Sequence, residues 1–245
     1  MSRTSTPPGA PALTFDIAPA VVLRVLVPIA LALTAVSAIV VTLAGGPVNQ
    51  TRLVKLFYVD LEANVPTWFQ VVLLAASSLA LWSLAGQVSR RGLPHRWHWR
   101  LFALAFAFLS LDELASLHEP VGAVLRDRLQ LTGFLHFAWI VVAIPVVVAF
   151  AVAMVPLLRA LPRPALVGFL ASGAVYVLGA VGLEAIGGYL ADNGGFNSVG
   201  FVVECHLEEL FEMLGQIGFL ASVGALARTW FGPAYPQEDG AVRSA

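Results

Sequence analysis

Long apolar stretches separated by short polar ones organise the chain. Six of them, near residues 18–44, 64–86, 100–121, 134–157, 165–188 and 200–226, are long enough to cross a membrane. A hydrocarbon core of about 30 Å takes roughly 20 helical residues. The first stretch carries no charge from Val25 to Ala44. It exceeds the apolar region of a signal peptide, about 7–15 residues, and comes after a polar leader, so a retained span is expected. The pattern predicts an all-α polytopic membrane protein, a single six-helix transmembrane domain over residues 17–228. The leader (1–16) and the tail (229–245) are rich in Pro, Ser, Gly and Ala and are expected to be disordered.

Composition agrees with the pattern. Apolar residues make up 58% of the chain and charged residues 12%, with a mean hydropathy of +0.82. Ordinary globular domains carry roughly a quarter charged residues. A net charge of −1 provides no basic footprint for nucleic acid. A single cysteine, Cys205, excludes a disulfide framework and a thiolate zinc module, and it reads as a small buried filler.

Basic residues predict the orientation. Ten of the 14 (Arg3, Arg24, Arg90, Arg91, Arg96, Arg100, Arg159, Arg163, Arg228 and Arg243) fall on one side of the six spans. The other four, Arg52, Lys55, Arg126 and Arg128, fall on the opposite side. By the positive-inside rule both termini are cytoplasmic, with outer loops at 45–63, 122–133 and 189–199. Residues 51–62 mix charge and aromatics and are expected to lie at the outer interface as an amphipathic helix, with Asp60 and Glu62 solvated or, as the lesser alternative, rimming an acidic cavity. His95, Trp97, His98 and Trp99 read as a cytoplasmic aromatic belt. The Gly168/Ser172 pair reads as a small-residue packing surface.

The acids change the picture. Twelve of the 15 carboxylates fall at or beyond the midplane on the outer side, and eight of those lie within the third, fifth and sixth spans. Each charge at the centre of a span costs about 2.5–3.5 kcal/mol even on the mild insertion scale, so such residues mark function by default. The sixth span carries Glu204, His206, Glu208, Glu209 and Glu212, with Gln216 one turn further on; the third carries Asp112, Glu113, His118 and Glu119. On a continuous third span Asp112 and Glu119 are about 10 Å apart along the axis. Antiparallel spans would set Asp112 and Glu113 level with Glu212, and His118 and Glu119 level with Glu204 and His206. Glu184 and His136 reach the upper level as possible accessory groups, or simply as interfacial residues.

No Lys or Arg occupies the outer halves of the third, fifth and sixth spans. Buried carboxylates without a counter-charge must take up protons or bind cations. Oxygen and imidazole ligands suit iron, manganese or zinc, and carboxylate/His clusters in helix bundles hold pairs of such ions. The candidate ligands are Asp112, Glu113, His118, Glu119, Glu204, His206, Glu209 and Glu212, with Glu208 as a general base. His206-x-x-Glu209 reverses the order of the usual di-iron motif, and neither His-Glu-x-x-His nor Gly-x-Ser-x-Gly occurs.

The leading expectation is a metal-dependent membrane hydrolase or oxidoreductase with one or two divalent ions. It would act on a lipid-like or periplasmic substrate from a bacterial inner membrane. A proton or cation transporter and a non-catalytic metal-binding subunit are the alternatives. The apolar inner halves of the third and sixth spans argue against a continuous ion path. Beyond the bilayer itself, the sequence specifies no partner or oligomeric state.

Overall fold

A computed structural model describes residues 18–231. The leader lies outside the described residues, as does the tail beyond Phe231. Among the described residues every regular element is helical: α1 (Pro19–Ala44), α2 (Arg52–Phe57), α3 (Val65–Arg90), α4 (Arg96–Ala115), α5 (His118–Leu129), α6 (Ile140–Ala160), α7 (Arg163–Val177), α8 (Glu184–Gly194) and α9 (Val199–Phe231). A 3₁₀ turn (Gly133–Leu135) precedes α6, and a π-turn (Leu178–Leu183) joins α7 to α8 as one span. Five helices are long and apolar enough to cross a membrane, or six if α4 and α5 count as one. The chain is built as a multi-pass membrane protein.

Local chemistry sets the ends. Pro19 opens α1 with its φ already helical, and Gly45 closes it at φ 76°. Asn64 caps α3 by accepting from the Thr67 N–H (3.0 Å). Its amide nitrogen donates back to the carbonyls of Tyr58 and Leu61, both at 2.6 Å. One buried side chain therefore pins residues 58–64 beneath the start of α3. The expected interfacial helix over 51–62 is only α2, and the residues after it turn inward, with Tyr58 and Val59 buried.

The largest departure is in the third span. In place of a straight helix over 100–121, α4 ends at Ala115 and α5 leaves it at 75°. Pro120 has no N–H to give the Ser116 carbonyl, and its ring clashes with that carbonyl in a continuous helix. Ser116 instead adopts φ 48°. The Asp112 carboxylate then accepts from the His118 N–H at 3.0 Å, capping the new helix. The loop expected at 122–133 is helical as far as Leu129.

Helix α9, 33 residues long, is the centre of the bundle. It packs against α1, α3, α7 and α8, while α4 covers α3. Helix α6 is mostly exposed and faces lipid, which is as apolar as the helix itself. Burial of apolar side chains therefore adds little association energy in the bilayer; close packing and hydrogen bonds carry it. Glycine permits that packing between α7 and α9. A Cβ on Gly215 would sit 2.7 Å from the Tyr176 backbone nitrogen and 2.8 Å from its Cα. Towards the Arg-rich end the core is aromatic, with Phe106 and Phe219 stacked at 4.3 Å and Phe102 and Phe169 against them.

Because backbone cannot yield as a side-chain tip can, Gly215→Ala should separate α7 from α9 at a cost of about 1–3 kcal/mol. Gly173 has nothing within 4 Å of an added Cβ. Thermal unfolding of the purified protein in detergent should show Gly215→Ala lowered by several degrees and Gly173→Ala unchanged.

Candidate functional site

The bend at Ser116, the π-turn in the α7–α8 span and the pinned loop before α3 bring their acids to one place. A cavity of about 650 Å³ is lined by nine carboxylates: Asp60, Glu62, Asp112, Glu113, Glu119, Glu184, Glu208, Glu209 and Glu212. His118 and His136 line it too. Each extra residue in a π-turn rotates the rest of the helix by about 100°, so the turn sets the direction of Glu184. Gly179 lets that segment lie against α9; a Cβ there would be 2.9 Å from the Glu208 carbonyl oxygen.

Neutral donors hold these carboxylates in place. Gln70, 1% exposed, donates from Nε2 to Glu209 Oε2 at 2.7 Å and to Glu113 Oε1 at 3.2 Å. Its own oxygen accepts from Gln216 Nε2 at 2.7 Å. Trp139 Nε1 donates to Glu184 Oε1 at 2.9 Å. The His118 ring lies 5.1 Å from that of Trp139, and its Nδ1 pairs with Asp112 Oδ2 at 3.0 Å. A carboxylate accepts, so the Nδ1 proton of His118 is fixed and Nε2 is the nitrogen presented to a proton or ligand. Asp112 thus acts as cap and as orienter of His118.

Glu62, in the loop before α3, also lines the cavity, and its carboxyl is pushed up to about 7. Removal from bulk water is the main cause, and the Glu119 charge adds to it. Glu62 therefore holds a proton more readily than an ordinary carboxylate.

Three of the expected site residues lie elsewhere. His206 faces α1, where its Nε2 accepts from the Ser37 hydroxyl at 2.9 Å, while its Nδ1 donates to the Val202 carbonyl of its own helix at 2.6 Å. Both ring nitrogens are engaged, so the expected His206/Glu209 pairing on one ligand does not form. Glu204, 5% exposed, points at α8, where a Cβ on Gly187 would meet its Oε2 at 2.3 Å. Gln216 reaches the cluster only through Gln70. Among the described residues, no three His, Cys, Asp or Glu side chains are grouped to hold a metal ion as they stand.

Sequence reasoning passes over Gln70 and Trp139. Gln70 alone leaves a signal, a single amide early in an otherwise apolar span at the depth of Asp112 and Glu113.

Removing the carboxyl of Asp112 deletes both the α5 cap and the partner of His118. Loss of a cap costs about 0.5–2 kcal/mol. Asp112→Ala should speed backbone amide exchange over residues 118–122 by about tenfold, whereas Glu119→Gln should leave it unchanged.

No curated protein and no solved structure matches the chain. Residues 26–226 match a family described as Domain of unknown function (DUF8692), and the match spans most of the chain, including every residue of the cavity. The chain belongs to the DUF8692 family.

Proposed function

We propose that the protein is a metal-dependent membrane enzyme whose reaction centre is this cavity. The observation that carries the reading is the charge balance: nine carboxylates line the cavity and, among the described residues, Arg126 is the one lysine or arginine that joins them. Divalent cations neutralise such a set, and hard oxygen donors with imidazole suit iron, manganese or zinc. Glu113, Glu209 and Glu212 are the ligands of choice. Gln70 holds two of them by hydrogen bonds, the support that ligating carboxylates need to stay oriented. Closing on an ion requires these side chains to rotate inward.

His118 would present Nε2 to the metal or to a proton in transfer, and Glu208 would act as the general base. One or two ions bound here supply Lewis-acid activation of water or, with iron, redox chemistry. On the positive-inside rule the cavity opens on the non-cytoplasmic half, with both termini in the cytoplasm.

A second reading, proton or cation transport, draws on the hydrogen bonds that continue from Glu113 and Glu209 through Gln70 to Gln216, deeper in the bundle. Elemental mass spectrometry of the detergent-purified protein separates the two. The enzyme reading expects one or two equivalents of iron, manganese or zinc per chain, reduced by at least half in Glu209→Gln at unchanged thermal stability. No metal in either protein after loading would overturn it; proton or cation flux in liposomes, abolished by Glu209→Gln, would establish the second.

A further inference from the structure

Arg126 stands at the rim of a cavity otherwise faced by acids. Its Nη1 donates to His136 Nε2 at 2.7 Å. A guanidinium only donates, so that ring nitrogen accepts and the imidazole proton sits on Nδ1. From there it bonds to the Asp192 carboxylate, which also accepts from the Gly133 backbone N–H. Arg126 is therefore held by a neutral imidazole, itself held by an acid. Among the described residues no carboxylate pairs with Arg126 within 4.0 Å, although nine line the same cavity. Its charge acts on Asp192 across the imidazole, and its remaining N–H donors have no side-chain partner among the described residues.

Part of the cavity wall is apolar. Phe108 on α4, Val121 on α5, and Val142 and Val146 on α6 line it, and they are 57%, 46%, 45% and 60% exposed. In a bilayer side chains exposed in this way meet acyl chains. The cavity thus offers a guanidinium with no carboxylate within 4.0 Å, a set of carboxylates and an apolar wall exposed towards lipid.

We propose that the cavity takes an amphiphile with a phosphate head. The head would sit between Arg126 and the ions on the carboxylates, and the chain would lie along Phe108, Val142 and Val146. A phosphate has enough oxygens to meet a guanidinium and a metal at once, and arginine matches its geometry with paired N–H donors. The inference rests on the metal reading, because cations on the carboxylates would offset the charge that otherwise weakens anion binding here.

The test is calorimetric titration of the full-length, metal-loaded protein in a non-ionic detergent with dodecyl phosphate. Saturable binding is expected, weakened at least tenfold by Arg126→Gln with metal content unchanged. Arg126 is exposed, so this variant should fold normally. Inorganic phosphate should need at least tenfold higher concentration, and dodecyltrimethylammonium should not compete. Equal affinity in Arg126→Gln, tighter binding of the cationic amphiphile, or equal affinity for inorganic phosphate would each overturn the proposal. If no metal is present the enzyme reading fails by itself. Dodecyl phosphate binding that still depends on Arg126 would then sustain the anion site, and no binding would remove both.

Discussion

Carboxylates inside a membrane span must be neutralised or hydrogen-bonded, and much of this bundle is arranged around that requirement. Nine face one cavity, where each additional charge raises the cost of its neighbours. The bundle answers with neutral donors rather than with cations. Gln70 serves Glu113 and Glu209, Trp139 serves Glu184, and the backbone of the second half of a bent span serves Asp112. Such donors orient a carboxylate without cancelling its charge. A lysine in place of Gln70 would have offset one of those charges permanently; an amide leaves the carboxylates it holds able to bind a cation or a proton.

The helices reach this arrangement through irregularities. The α4–α5 bend turns His118 back onto Asp112, and the π-turn ahead of α8 sets the face on which Glu184 lies. Glycines at 179, 187 and 215 let the α7–α8 span press on α9 where a Cβ would collide with backbone or with a carboxylate. In a soluble protein such contacts would be aided by apolar burial. Here lipid competes equally well for apolar surface, so backbone proximity and buried hydrogen bonds carry more of the load.

Much of the architecture is legible in the chain because span length and charge depth are one-dimensional signals. Depth alone singles out the acids of the third and sixth spans, and Asp112, Glu113, Glu208, Glu209 and Glu212 do share a cavity. What depth does not encode is the angle about the helix axis. Glu204 and His206 lie at the level expected for them but face α8 and α1. The bend has a signal in the sequence: Pro120 forbids the straight helix on which the spacing of Asp112 and Glu119 is reckoned. Gln70 and Trp139 are less accessible, since a polar side chain acquires its meaning only from what faces it across the bundle.

The distribution of aromatic residues bears on which chemistry the cavity serves. Phe102 and Phe106 on α4, Phe169 on α7 and Phe219 on α9 all lie on the Arg-rich side of the carboxylates and interlock at centroid distances of 4.3 to 6.0 Å. They fill the bundle where an ion path would continue, and Gln216 is the deepest polar group tied to the acids by a described hydrogen bond. An ion leaving the cluster in that direction would have to part packed rings that offer no lone pair. Towards α6, by contrast, the cavity wall is made of exposed valines and Phe108. If the cavity serves the reaction proposed here, packed rings along the bundle and an exposed apolar wall would suit a reactant drawn from the lipid better than one conducted across it.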